Sequence, residues 1–253
     1  MESKPLPTKL GKEPLIDAVF ELRFSTSAPA VNIIPGALYS QLSGIGQVVT
    51  IEKLPISQIP ETIRQADPNL KFLPVVKLDW QNYFILIGDS SICVSCKLPY
   101  PGWKLFRTAI AYIVGEVAKI GIVNAIERYS LKYVDIVPIT EITRQIDGLN
   151  WDVRVGGHVL RAEVANIRVE IPRGNYLHLV SIQTAGVAEI SGRPRVEGVV
   201  VDVDSICKVA ELPLAQFIKD ISDRLDGIHA ENKAMFFECL TPATLEELEP
   251  SYE

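Results

Sequence analysis

The chain has 253 residues, 47% of them hydrophobic, with 25 Lys and Arg against 31 Asp and Glu, four Cys and three His. This excludes a disordered chain and supplies enough apolar side chains for one large domain or two smaller ones. The net charge of −6 hides an uneven spread: residues 1–126 carry +2, residues 127–195 carry +1 and residues 196–253 carry −9.

Residues 1–12 hold three lysines and two prolines but no apolar stretch that would serve as a signal-peptide core, so a cytoplasmic protein is expected. The most apolar long window, residues 108–126, is interrupted by Glu116 and Lys119, which points to an amphipathic helix and away from a membrane. Four cysteines in such a chain read as small buried hydrophobes, and nothing implies a cofactor.

In chain order, residues 18–24 alternate Val19, Glu21 and Arg23 with Phe20, Leu22 and Phe24, the pattern of a half-buried strand. Ile34, Leu38 and Leu42 lie four apart, with Pro35 near a first turn, and predict a short helix. Residues 48–54, 71–80, 83–87 and 92–98, separated by turn formers, predict an antiparallel meander. Trp103, Phe106, Ile110, Ile113, Val114 and Val117 then have helical spacing, closed by Gly121 where a left-handed residue is favoured.

The order β-α-β-β-β-β-α is expected to recur. A strand over residues 127–137, a short helix over 139–149, strands over 151–155, 158–171, 176–184 and 196–203, and a long helix over 213–240 follow one another. Leu131-Lys132-Tyr133 echoes Leu22-Arg23-Phe24, and Leu214 and Phe217 echo Trp103 and Phe106. The expectation is an α+β protein of two pseudo-repeated units, residues 1–124 and 125–253, with antiparallel sheets and helices packed on one face. Thr241 and Pro242 then start a short terminal helix as its N-cap and first turn. This element order resembles a tandem TATA-binding-protein-like fold, which implies a broad open sheet face.

Cys93 and Cys96 have CxxC spacing, but three apart on a strand they point to opposite faces, and no second pair exists. Asp202 and Asp204, two apart, project from one face and are candidate metal ligands, although acids at a strand end before a helix are ordinarily solvated. Glu163 and Glu170 approach each other only if the strand order allows it. His158 and His178 fall on strands and His229 beside the apolar stripe of the last helix, and none has a nucleophile nearby in a recognisable motif. Asn232 falls on that stripe, where a buried amide needs partners and would brace the following segment or mark an interface. Six arginines occur between residues 154 and 195. Arg154 and Arg168 share a face if no bulge intervenes, and with Arg173, Arg193 and Arg195 they are candidate binding residues for nucleic acid, unless Glu163, Glu170 and the acidic helix neutralise them.

Residues 14–24 (PLIDAVFELRF), Tyr100-Pro101-Gly102-Trp103 with Phe106, residues 128–135 (RYSLKYVD), and the run from His229 through Asn232 and Phe236-Phe237 to Leu248-Glu249-Pro250 are together specific. On these the chain resembles a sporadically distributed family of uncharacterised prokaryotic proteins of similar length. The resemblance implies no activity, cofactor or catalytic residue. The family's patchy distribution resembles that of defence and toxin-neutralising genes. The reading that emerges is a non-catalytic protein that binds a macromolecule: a protein partner, a second copy of itself, or nucleic acid across the sheet. A metal-dependent enzyme on Asp202 and Asp204 is the remaining alternative.

Overall fold

The computed structural model describes residues 5–44, 48–190, 192 and 194–252, and the chain is α+β with a large antiparallel sheet. After the two-residue β1 (Lys9–Leu10), β2 (Leu15–Thr26) turns Ala18, Phe20, Leu22 and Phe24 inward on its two-residue period. Helix α1 (Ala30–Ser43) buries Ala30, Ile34, Leu38 and Leu42, and β3 (Val49–Lys53) follows. A 3-10 turn over Pro55–Gln58 and the short α2 (Glu61–Ala66) come next, elements that periodicity alone does not announce.

Of the strand expected over 71–80, only β4 (Val76–Trp80) forms. The Asp67 carboxylate accepts the Asn69 N–H at 2.8 Å and the Asp67 carbonyl accepts from Leu70 and Lys71, so these donors go to a turn instead of a ladder. β5 (Tyr83–Ile87), β6 (Ser91–Cys96) and α3 (Trp103–Ile120) match their predicted positions within a few residues. Gly121 ends α3 with φ +76°, the left-handed cap its sequence position predicts.

Next come β7 (Val123–Val137), α4 (Ile142–Asp147), β8 (Arg154–Val155) and β9 (His158–Val159), then β10 (Asn166–Arg173) and β11 (Tyr176–Ala188). The single strand expected over 158–171 is therefore interrupted. The Glu163 carboxylate accepts the main-chain N–H groups of Arg161 and Ala162 at 2.7 and 3.0 Å, and Thr184 Oγ1 accepts that of Ala165 at 2.8 Å. Three donors that a ladder needs are thus taken by side chains. β12 (Val196–Pro213) runs ten residues beyond its expected end at 203, so Asp202 and Asp204 lie in mid-strand and not at its end. The last long helix is divided into α5 (Leu214–Lys219) and α6 (Ile221–Glu238) at Asp220, whose φ of −108° and ψ of 12° leave the helical range. α7 (Pro242–Glu247) is capped by Thr241 Oγ1, which accepts from Thr244 N, and β13 (Pro250–Ser251) pairs with β1.

The nine long strands are hydrogen-bonded in the order β10-β11-β12-β7-β2-β6-β5-β4-β3, and β8 and β9 form a separate ribbon. Two compact units are each assembled from discontinuous segments, one from residues 17–131 and 206–228 and the other from 1–16, 132–205 and 229–253. The border expected at 124/125 falls inside β7.

The unit built on 17–131 and 206–228 has Phe20, Phe24, Phe106 and Phe217 fully buried. Trp80 stacks on Tyr112 and Tyr83 on Phe106, while Tyr129 meets Phe217 edge-on at 5.3 Å between centroids. Asp226 on α6 accepts Trp103 Nε1 at 2.7 Å and is ion-paired with Arg107. Arg64, from the short α2, is buried against Asp89, with Nε and Nη2 each donating to a carboxylate oxygen at 2.8 Å.

The unit built on 132–205 with both chain ends packs Val137, Ile139, Val180, Val199, Val201 and Val203 against Met235, Phe236, Leu240 and Leu248. Gln145 on α4 is buried and ties the segment before its helix to β11, donating to the Ile139 carbonyl at 2.6 Å and accepting from Ala185 N at 2.7 Å. At Gly198 a Cβ would lie 1.9 Å from the Val137 carbonyl oxygen, so no side chain fits there.

Candidate functional site

The chemistry-bearing side chains of the second unit meet where β11, β12 and α6 pack. His178 on β11, Ser205 on β12 and Asn232 on α6 are all buried, His178 and Ser205 with no exposed surface. Each faces inward through its element's own period: Val180 and Ile182 share the inward set of β11, Val201 and Val203 that of β12, and Met235 and Phe236 that of α6.

Asn232 Nδ2 donates to Ser205 Oγ at 2.9 Å and to the Val203 carbonyl at 2.8 Å. Ser205 Oγ, which accepts from that amide, is also hydrogen-bonded to His178 Nδ1 at 2.8 Å, the imidazole tautomer setting which of the two donates, and the other ring nitrogen is Nε2. That nitrogen is buried without a hydrogen-bond partner, Glu231 Oε2 lying at 4.0 Å. Burial holds the imidazole below its ordinary pKa; the charge of Arg173 adds to this, and Glu231 and Glu238 oppose it. A serine hydroxyl within reach of a neutral imidazole is the pairing that activates a nucleophile. Here neither group meets solvent, so the trio holds strand to helix.

Asp135 on β7 is the second buried titratable group of this unit. Burial, followed by the like charges of Glu13 and Asp202, pushes its carboxyl up to about 8. Asp202 forms an ion pair of 2.9 Å with Lys132. Among the described residues no group of three or more His, Cys, Asp or Glu is arranged to hold a metal ion, and the Asp202–Asp204 pair gathers no third ligand.

The candidate arginines are dispersed. Arg154 lies on the β8–β9 ribbon, 3.8 Å from Asp152, whereas Arg168 lies on β10, so the two do not share a strand face. The reason is the interruption at residues 160–165 described above. Arg173 is held by Glu238 in two hydrogen bonds of 3.0 and 2.6 Å, and Arg195 pairs with Glu197 at 2.8 Å. Arg193 lies outside the described residues. His229 meets the Tyr133 ring edge-on at 6.0 Å, and Asn232 braces β12.

Glu163 does not approach Glu170. It accepts from Arg161 N and Ala162 N and lies 2.7 Å from His158 Nε2, contacts that lower its carboxyl to about 2. Cys93 and Cys96 are both buried on β6, three apart and so on opposite faces. A shallow cleft of about 250 Å³ lies between α4 and the β8–β9 ribbon, with Trp151 and Asp152 in its lining, and none of the buried trio reaches it. Sequence reading passed over Ser205, Asp135 and the Arg64–Asp89 pair. The signal for Asp135 was available as a lone acid inside the apolar run Tyr133 to Val137.

Comparison with known protein families and with curated proteins gives no match for the chain. Among the described residues no helix is long and apolar enough to cross a membrane.

Proposed function

We propose that the chain is a non-catalytic protein-binding module that works through the second unit. The observation that carries this reading is the division of side chains within that unit. His178, Ser205 and Asn232 are spent on internal hydrogen bonds, while Val155, Val164, Val169 and Val187 stand in solvent, each exposed by 46% or more. Isolated exposed apolar residues are ordinary, but four valines within 33 residues of strand, ribbon and connecting loop offer apolar area beside exposed arginines, the mixture that interfaces use. Arg173 and Arg195 are neutralised by carboxylates, which favours a protein partner over nucleic acid.

The test is retention from a host extract on the immobilised chain, with and without nuclease, beside the variant Val155→Asp with Val164→Asp. Both positions are about 70% exposed, so the variant keeps its fold. A stoichiometric protein that survives nuclease and is lost from the variant is the expected result. Retention of nucleic acid, or retention that the variant leaves unchanged, overturns the reading.

A further inference from the structure

We infer that the second unit pairs with a second copy of the chain through the outer edge of β10, antiparallel and in a register centred on Val169. Among the described residues β10 has one neighbour in the sheet, β11, and its other edge is unpaired. Such an edge is a template for another strand unless something blunts it. This inference rests on the reading of the unit as a binding module and names one partner for it.

The outward main-chain groups follow from the ladder. Asn166 is opposite Gln183 and Arg173 opposite Tyr176, and the Ala165 carbonyl accepts from Thr184 N at 3.0 Å. Because an antiparallel ladder alternates, the N–H and C=O groups of Ile167, Val169, Ile171 and Arg173 face β11, and those of Asn166, Arg168 and Glu170 face away. Pro172 fits this phase, since its position is one that needs no N–H toward β11.

A two-fold axis at Val169 then sets Arg168 opposite Glu170 of the copy and Glu170 opposite Arg168 of the copy. These are the outward-facing residues, so they exchange main-chain hydrogen bonds, and with Asn166 donating to the Pro172 carbonyl at each end the total is about six. Their side chains, both exposed, make opposite-charge pairs across the junction. On the other face Val169 meets its own copy and Ile167 meets Ile171. The register thus accounts for an apolar side chain, 46% exposed, in the middle of an open edge. Moving the axis to Arg168 or to Glu170 would set like charges against each other.

The test is the mass of the full chain by sedimentation across a concentration series, with three variants. Wild type is expected to sediment at twice the chain mass. Arg168→Glu is expected to weaken the dimer by at least about tenfold, and adding Glu170→Arg restores opposite charges at both crossings and the dimer with them. Glu170→Pro removes one outward N–H from each copy while sparing the β10–β11 ladder, and is expected to give a monomer with an unchanged circular dichroism spectrum. A wild type that stays monomeric at 100 μM, or a dimer indifferent to both Arg168→Glu and Glu170→Pro, overturns the pairing. Neither outcome bears on the capture experiment, which reads Val155 and Val164.

Discussion

The two units bury charge in different ways. In the unit built on 17–131, Arg64 goes into the interior with Asp89, and the half-buried Glu21 is held by Arg23 and Arg128, each at 2.8 Å. In the unit built on 132–205, Asp135 is buried with like charges acting on it and His178 is buried with one ring nitrogen unpartnered. A matched pair resists titration, because each charge stabilises the other's ionised form. A group whose burial outweighs any counter-charge takes its neutral form, and its stability contribution then depends on pH. Acid and alkali should therefore be felt mainly in the second unit.

The largest expected effect attacks the matched pair. Asp89→Asn leaves the Arg64 guanidinium buried without its counter-charge and should cost roughly 3 kcal/mol or more at pH 7, read by urea unfolding. Next, Asp135→Asn should stabilise the protein at pH 8, by roughly 2–4 kcal/mol. The folded carboxyl, raised to about 8, holds a proton that the unfolded chain releases near pH 4. Wild-type stability should therefore fall between pH 4 and 8, and the variant should flatten that fall. An unchanged profile would place the matched and single charges on the same footing.

His178 runs the other way. Its pKa is depressed in the folded state, so its contribution is complete above the unfolded value of about 6.5 and is lost as the pH falls. His178→Gln, which keeps a polar group facing Ser205, should cost about 1 kcal/mol at pH 7 and reduce the loss on going to pH 5. The smallest effect is the control. Thr241→Ala removes an uncharged N-cap and should cost about 1 kcal/mol or less, equally at pH 5 and 8.

Local rules made much of this fold legible, and they failed where distant residues compete for the same backbone groups. β2, α3 with Gly121, and α7 with Thr241 each carry their cause within a few residues, in alternation, helical spacing or a cap. The interruption before β10 depends on Thr184, 19 residues away from the Ala165 donor it removes from the ladder. The extension of β12 through Asp204 and Ser205 runs against the low strand preference of Asp, and it depends on partners such as His178 and Asn232, each 27 residues from Ser205. Asn232 was visible as a polar residue on an apolar stripe, and His178 as a histidine on a strand. Their meeting at Ser205 was not, because strand order is not written in any one segment.

Gly198 has a consequence for how such chains tolerate change. With the Val137 carbonyl 1.9 Å from where a Cβ would stand, this position admits one residue of twenty whatever the protein binds. Arg168 and Glu170 face no such limit, and only the loss or retention of a copy across the edge would restrict them. A saturation library selected first for folding and then for association should empty position 198 in the first round and positions 168 and 170 in the second. The scaffold and the interface would then separate in the order in which their substitutions disappear.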